Sequence, residues 1–390
     1  MDQTKSFLST IKAIVDTFSA RLYPKIILPH VDLHNKRALV TGANVGLGKA
    51  IAASLAGQGA EVYLLCRSHQ KAEEARADIV KETGNSKVFV EVIDLGSLQS
   101  VREFIERWGQ RSTGERSIDI LINNAGKFAF CWILLDYAYG GSNSYHNLLQ
   151  GLSTGTKITS PEGFELTYAV NALGSFALTV GLLQKTYLSS NARVVSVSSV
   201  AMYSAALSSK APTTLNSPDL LHKFSEGDAI PPNILTALYQ RSKALQVIFT
   251  IELQERLRRD GRYRDVVVQC CHPGKRLYTI APQKSFTDSL RFVAGNVITS
   301  MYSRSDGVAS DPGSAKFMKF LAENFGVSPP EGAVTPVWLA TSDIPAQPAM
   351  LGKYWERIGW KWIPAWMHDA EQRKILWDLM ARDAQLEGVY

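Results

Sequence analysis

The sequence predicts an α/β protein with a doubly wound parallel sheet, and three observations support this prediction. Short apolar segments of strand length alternate with helix-like stretches between residues 37 and 122. A glycine-rich turn joins the first of these segments to a helix. Polar residues follow several of the segments directly, at the strand ends where such a sheet binds its ligands.

Composition limits the classes of protein to consider. The chain has 390 residues and is 45% hydrophobic, enough to bury a sizeable core. Its four cysteines lack disulfide or zinc-ligand spacing, so a reducing compartment, the cytoplasm, is the expected location. The 42 basic residues are interleaved with 36 acidic ones, which disfavours nucleic acid as a partner. The net charge of +6 suits an anionic phosphorylated cofactor or a membrane surface.

Residues 1–34 precede the first strand of the predicted sheet and are predicted to be an amphipathic helix and a connector. Apolar residues between positions 7 and 22 line one helical face, and the charges of Lys5, Lys12 and Arg21 exclude a spanning segment. Two interpretations stay open. The helix docks on the protein's own surface, or residues 5–25 lie in a membrane interface as a peripheral contact.

The glycine-rich turn spans residues 40–49 and follows a strand at 37–40. Gly42, Gly46 and Gly48 permit a tight turn, close approach to a pyrophosphate and close packing of helix on strand. The helix N-terminus then presents free N–H groups to the phosphates. Such a turn taken alone is equally compatible with an ordinary tight loop.

The residue after the second strand, at 61–66, indicates which cofactor the chain prefers. An acid there would bind the free 2′-hydroxyl of the adenosine ribose. This chain has Arg67 instead, whose guanidinium can bind a 2′-phosphate bidentately, so the sequence predicts NADP(H). The alternative is that Arg67 is simply a solvated residue at a strand end.

A third strand at 87–93 ends in Asp94 and Leu95, and a fourth at 118–122 runs into the sequence Asn-Asn-Ala-Gly. With the Thr-Gly-x-x-x-Gly-x-Gly turn, these motifs resemble the short-chain dehydrogenase/reductase superfamily, whose fold is Rossmann-type. Residues 161–165 and 170–179 are similar to its branch of retinol dehydrogenases and WW-domain oxidoreductases. The cofactor-binding positions that the resemblance implies are Gly42, Asn44, Gly46, Leu47, Gly48, Arg67, Asp94, Leu95, Asn123, Ala125, Gly126, Tyr239, Lys243, Pro273 and Gly274.

The candidate catalytic pair is Tyr239 and Lys243, which share a helix face because they lie four residues apart. Hydride transfer to or from a carbon must be matched by proton transfer at the oxygen, and a phenol of pKa about 10 needs roughly 4 kcal/mol of phenolate stabilisation to work near neutrality. The Lys243 ammonium is suited to provide it. The resemblance implies that Ser199 holds the substrate oxygen, that Lys243 also binds the ribose, and that Asn171 holds a relay water.

Three segments depart from the family pattern or extend it. Residues 127–160 are an insertion, and three interpretations of it stay open: it covers the substrate, it packs as a surface hairpin, or it results from a wrong gene model. Residues 202–236 are predicted to be an irregular specificity loop outside the core. The domain at 35–345 precedes a Trp-rich extension at 346–390. Its tryptophans pack on the core, form a hydrophobic mouth for a bulky substrate, or form a rim that faces a membrane, and these three interpretations stay open. Tyr278 stands where relatives have a threonine that contacts the nicotinamide carboxamide.

Together these features predict a single-domain oxidoreductase that interconverts an alcohol and a ketone or aldehyde on a lipophilic molecule. The N-terminal helix and Trp-rich tail look like fungal members of natural-product pathways, with terpenoid or polyketide substrates. The alternatives are a nucleotide-binding regulator or scaffold with weak turnover, a retinoid- or steroid-type lipid dehydrogenase at a membrane surface, and a membrane-peripheral lipid-binding protein. A homodimer is left open.

Overall fold

The computed structural model describes residues 26–126, 155–205, 207, 212, 214–273, 278–279, 292–293, 328–386 and 388. These residues form an eight-stranded sheet flanked by helices on both faces, which confirms the predicted fold class. The amphipathic helix predicted near the N-terminus and most of the insertion predicted at 127–160 lie outside the described residues.

The main sheet has the order β3-β2-β1-β4-β6-β8-β11-β12, and its neighbours are parallel except for β11 and β12. The chain order reverses between β1 and β4, which makes this the switch point where such sheets bind ligands. The strands are β1 Arg37–Thr41, β2 Glu61–Cys66, β3 Val88–Val92, β4 Ile118–Asn123, β5 Gly155–Thr156, β6 Leu188–Val197, β7 Ala229–Ile230, β8 Val267–His272, β9 Tyr278–Thr279, β10 Phe292–Val293, β11 Tyr354–Glu356 and β12 Gly359–Lys361.

Helices cover both faces of the sheet, and the strands divide their side chains between the two layers. On β1, Leu39 packs into one buried cluster while Ala38 and Val40 pack into the other, as a period of two requires. One cluster includes residues of α1, α2 and α7, and the other includes residues of α3, α4, α6 and α8. The helices are α1 Gly46–Gly57, α2 His69–Thr83, α3 Leu98–Gly109, α4 Leu166–Gln184, α5 Pro218–Leu221, α6 Pro232–Leu257, α7 Pro329–Thr341 and α8 Ala370–Asp383.

Helix α4 is a buried helix with a local irregularity. In the described part of the chain it is the one helix whose length and apolar composition would suit a membrane span, but 89% of its apolar window is buried inside the protein. Residues Ala169–Leu173 form a π-helical turn within it. Such a turn widens the helix by one residue and is frequent at functional sites.

The predicted irregular loop at 202–236 is more ordered than expected. It contains most of a 3₁₀ turn at Val200–Ser204, all of α5 and β7, and the start of α6, which begins at Pro232, inside the predicted loop. Pro232 is tolerated there because the first residues of a helix need no intrahelical N–H donor. The expectation that this segment lies outside the core is wrong, because Leu215, Leu221 and Ile230 are buried.

The predicted C-terminal extension is integrated into the domain. Strand β11 pairs in parallel with β8 and extends the sheet, so the boundary placed after residue 345 does not separate it from the fold. The ring centroid of Trp377, on α8, lies 4.9 Å from that of Phe176 on α4 and 6.1 Å from that of Phe249 on α6. Trp355 and Trp377 are buried, whereas 56% of Trp360 and 65% of Trp362 is exposed.

Candidate active site

The glycine turn after β1 has the geometry that nucleotide binding requires. Gly42 and Gly46 have φ values of +65° and +60°, in the left-handed region that favours glycine. Gly48 sits so close to the strand that an added Cβ would lie 2.3 Å from the Gly42 carbonyl oxygen and 2.4 Å from Asn124 Nδ2. A side chain at residue 48 would therefore force the turn and helix α1 apart.

Thr41 and Asn124 join this turn to the end of β4. The hydroxyl of Thr41 accepts hydrogen bonds from the backbone N–H groups of Asn124 and Ala125, both at 2.9 Å. The Asn124 side-chain amide donates to the Thr41 carbonyl at 2.9 Å. Neither Thr41 nor Asn124 was among the predicted site residues, although both lie inside the motifs, next to the positions that were selected.

The other residues of the Asn-Asn-Ala-Gly sequence have different surroundings. Asn123 is fully buried and its side-chain amide donates to Thr179 Oγ1 on α4 at 2.9 Å, so it ties the sheet to this helix. Gly126 lies next to two predicted site residues, because an added Cβ would be in van der Waals contact with Asn171 Oδ1 and Lys243 Nζ, 3.4 Å from each. The strand end thus brings Gly126, Asn171 and Lys243 together.

The residues predicted to bind the adenosine follow β2 and β3. Arg67 comes directly after β2 and is exposed. Asp94 Oδ1 accepts a hydrogen bond from the Gly96 backbone N–H at 2.8 Å, while Ser97 and not Asp94 caps α3. The side chain of Leu95 is buried in the core, which leaves only its backbone for a ligand. Lys49, in the first turn of α1, pairs with Asp78 at 2.5 Å.

Tyr239 and Lys243 lie on one face of α6. The Lys243 ammonium is 5.7 Å from the centroid of the Tyr239 ring and donates to the Val197 carbonyl at 3.0 Å and to Gln246 Oε1 at 2.9 Å. Only 4% of Lys243 is exposed. Burial lowers the pKa of Lys243 to about 8.

The two serines after β6 have separate tasks. Ser198 is buried, and its hydroxyl donates to the Lys243 carbonyl at 2.8 Å. Ser199 is half-buried and caps the following 3₁₀ turn, with its hydroxyl oxygen accepting from the Ala201 backbone N–H at 3.2 Å. Because that bond uses a lone pair, the Ser199 O–H group is available to donate to another oxygen.

Asn171 lies in the π-helical turn of α4 and is fully buried. Its side-chain amide donates to Ser242 Oγ at 3.0 Å, and the Ser242 hydroxyl in turn donates to the Tyr239 carbonyl at 2.8 Å. Asn171 is therefore linked to the helix turn that carries both Tyr239 and Lys243. Ser242 was not predicted as a site residue, since its role becomes visible only when α4 and α6 are packed together.

Pro273 follows β8, whose last residue, His272, is buried. Gly274 lies outside the described residues, together with most of the altered loop that follows it. The predicted contacts of that loop with a nicotinamide therefore remain predictions.

A doubly wound sheet with a glycine turn at its switch point defines a class, the dinucleotide-binding α/β proteins. The family profile described as short chain dehydrogenase matches residues 36–209. Retinol dehydrogenase 12 from Homo sapiens is 33% identical over 269 residues, which cover 69% of this chain and 70% of that protein. The chain belongs to the short-chain dehydrogenase/reductase family and is an oxidoreductase.

Solved structures agree with this assignment at the level of the fold. An uncharacterised protein from Mycobacterium paratuberculosis has a TM-score of 0.56 at 24% identity, with 90% of this chain and 94% of that chain covered. RhlG from Pseudomonas aeruginosa, solved as an active-site complex with NADP, has a TM-score of 0.53 at 20% identity, with 85% and 98% covered.

Proposed function

We propose that this chain interconverts an alcohol and the corresponding ketone or aldehyde on a lipophilic small molecule, with NADP(H) as the cofactor. The observation that carries this proposal is the buried Lys243 ammonium, 5.7 Å from the Tyr239 ring centroid on the same helix. A buried cation beside a phenol favours the phenolate, which is the state needed to accept a proton from an alcohol.

The residues divide the work of proton transfer among them. Ser199 donates a hydrogen bond to the substrate oxygen and orients it toward Tyr239. In reduction, the Tyr239 hydroxyl gives its proton to that oxygen, and in oxidation the phenolate takes the proton back. Lys243 stabilises the phenolate, and Asn171 holds a water through which the proton equilibrates with solvent. The bound nicotinamide supplies or accepts the hydride.

The glycine turn and Arg67 support a phosphorylated dinucleotide. Because residue 48 has no side chain, α1 packs closely on the turn after β1, and the N-terminus of α1 can present its free N–H groups to a pyrophosphate. Arg67 is exposed at the end of β2 and no acid stands beside it in the sequence Cys66-Arg67-Ser68, so a 2′-phosphate meets a cation without a competing carboxylate. RhlG, whose structure was solved with NADP, supports the same choice.

A lipophilic substrate is supported by the similarity to retinol dehydrogenase 12. We also propose that the substrate is a terpenoid or a polyketide of a fungal natural-product pathway. Peripheral attachment to an intracellular membrane is proposed as well, since the sequence of residues 5–25 predicts a helix with one apolar face and the chain carries a net charge of +6.

Binding and turnover assays separate this proposal from a regulator or scaffold. Calorimetric titration of the purified full chain with NADPH and NADH measures cofactor affinity, and loss of absorbance of the reduced nicotinamide measures turnover on a panel of lipophilic ketones and aldehydes. We expect tighter binding of NADPH and turnover on at least one substrate. Tight binding of NADPH with no turnover across the panel in either direction would favour the regulator.

A further inference from the structure

The Lys243 ammonium is held by one main-chain and one side-chain oxygen. The main-chain oxygen belongs to Val197 at the end of β6, at 3.0 Å, and the side-chain oxygen is Oε1 of Gln246, at 2.9 Å. Gln246 lies three residues after Lys243 on α6, so the two side chains share a face of the helix. Gln246 is buried, with 1% of its surface exposed.

The orientation of the Gln246 amide is fixed by chemistry. An ammonium group has three donors and no acceptor, so the amide must turn its oxygen and not its nitrogen toward Lys243. As a consequence, Gln246 Nε2 is buried and has no hydrogen-bond partner among the residues that the structure describes. A buried donor without a partner destabilises the fold, and a hydrocarbon side chain would avoid that penalty. The presence of glutamine here therefore points to a task for its oxygen.

The other groups that face Lys243 cannot replace that oxygen. The thiols of Cys270 and Cys271 on β8 interact with the ammonium, but burial raises the pKa of both thiols and keeps them neutral at pH 7. Tyr239 lies on α6 itself, and Asn171 on α4 approaches the same space from the side of Gly126. No carboxylate in the described part of the chain contributes to the charge balance of Lys243.

We propose that Gln246 is a positioning residue, whose side-chain oxygen fixes the Lys243 ammonium beside Tyr239 and stabilises its charge in a buried site. Gln246 and Val197 use two of the three N–H donors of the ammonium. The third donor is then left for the ribose of the cofactor. Only the consequences for turnover rest on the proposed function, because the charge of Lys243 can be measured without a substrate.

The direct test is the pKa of Lys243 in the cofactor-free full chain, measured by NMR with isotope-labelled lysine. The signal is assigned by its loss in Lys243→Met. We expect Gln246→Leu to lower the pKa of Lys243 by about one unit, because the charged form loses an acceptor. Gln246→Glu should raise it by a similar amount, because a carboxylate favours the ammonium more than an amide does. If the leucine variant does not fold, the isosteric glutamate variant still gives the test.

Gln254→Leu is the matched control. Gln254 is a second buried glutamine on α6, and its side chain binds the backbone of Val266 and Val268 and not Lys243. This variant should lose stability without moving the pKa of Lys243. Equal pKa values of Lys243 in the wild type, Gln246→Leu and Gln246→Glu would overturn the proposal.

Turnover supplies an independent measurement. If activity requires the ammonium, the alkaline limb of the pH profile of kcat/KM should shift to lower pH in Gln246→Leu and to higher pH in Gln246→Glu. A purely structural role would lower activity at every pH and leave the limb in place. Shifted pKa values of Lys243 in a chain without turnover would uphold the role of Gln246 and reject the proposed function. Turnover with unshifted pKa values of Lys243 would uphold the proposed function and reject the role of Gln246.

Discussion

The Lys243 ammonium lies 5.7 Å from the centroid of the Tyr239 ring, and its charge is compensated in the described residues by neutral oxygens and not by a carboxylate. A carboxylate partner would neutralise the field that the ammonium exerts on the phenol. Neutral acceptors hold the cation in place and leave its charge available to stabilise a phenolate. This arrangement leads to the following predictions.

The buried ammonium lowers the stability of the protein. Its pKa falls from 10.5 to about 8 on folding, so the unfolded chain binds more protons than the folded one between these values. The free energy of unfolding therefore rises with pH between about 8 and 10.5. Below about pH 8, Lys243 is charged in both the folded and the unfolded chain, so the full cost of burying its charge applies.

We accordingly expect Lys243→Met to stabilise the fold at pH 7 by up to about 3 kcal/mol while turnover is lost. Urea unfolding of both proteins between pH 6 and 9.5 provides the measurement. The gain should stay constant below pH 8 and shrink above it. A methionine variant that is less stable than the wild type at pH 7 would contradict this explanation.

Gly48 should not tolerate even a methyl group, because its Cβ would lie 2.3 Å from the Gly42 carbonyl oxygen. We expect Gly48→Ala to lose at least about tenfold in NADPH affinity, since the turn must open to accommodate the methyl group. Gly57→Ala, at the other end of α1, is the control, because its Cβ would meet only Thr83 Cγ2 at 3.8 Å. Calorimetric titration of both variants checks the difference, and equal affinities would contradict it.

Arg67 should determine the preference for the phosphorylated cofactor. Replacing it with aspartate puts a carboxylate where the 2′-phosphate is expected, so we predict that the ratio of NADPH to NADH affinity falls by about 100-fold. Arg76→Asp, a change of the same charge on the surface of α2, is the control. A similar loss of affinity for both cofactors in Arg67→Asp would show that Arg67 does not read the phosphate.

Trp377 should be central to the stability of the C-terminal region. It is 1% exposed, its ring contacts those of Phe176 and Phe249, and the Arg256 guanidinium lies 4.5 Å from its ring centroid. We expect Trp377→Ala to lower the free energy of unfolding by about 3 to 5 kcal/mol. Trp360→Ala, at an exposed site, should change it by less than about 1 kcal/mol. Thermal and chemical unfolding of the two variants test this contrast.

Local sequence patterns predicted most of the sheet, because buried parallel strands are continuous apolar runs and the glycine turn has its own spacing. Strand β11 was missed because it is only Tyr354–Glu356, too short for a periodicity to appear, and its pairing with β8 depends on distant residues. The early start of α6 at Pro232 was missed because consecutive prolines look like loop sequence.

The residues of the candidate site also fall into those that a local sequence pattern predicts and those that it does not. Tyr239 and Lys243 are recognisable because they lie on one helix at a fixed spacing. The clamp between Thr41 and Asn124 joins residues 83 positions apart, and the bond between Asn171 and Ser242 joins residues 71 positions apart. Local sequence patterns do not predict contacts between residues so far apart in the chain. Gln246 was passed over because a glutamine in a helix is ordinarily a surface residue.

The most direct test of the central claim is a single-turnover measurement with Tyr239→Phe. The enzyme is mixed with NADPH and a ketone or aldehyde that the wild type reduces, and the decay of nicotinamide absorbance gives the rate of the chemical step. With NADPH at saturating concentration, the variant should react at least about 100-fold more slowly, because the phenolic hydroxyl that donates the proton has been removed. Reaction at the wild-type rate would show that Tyr239 is not the proton donor and would refute the proposed mechanism.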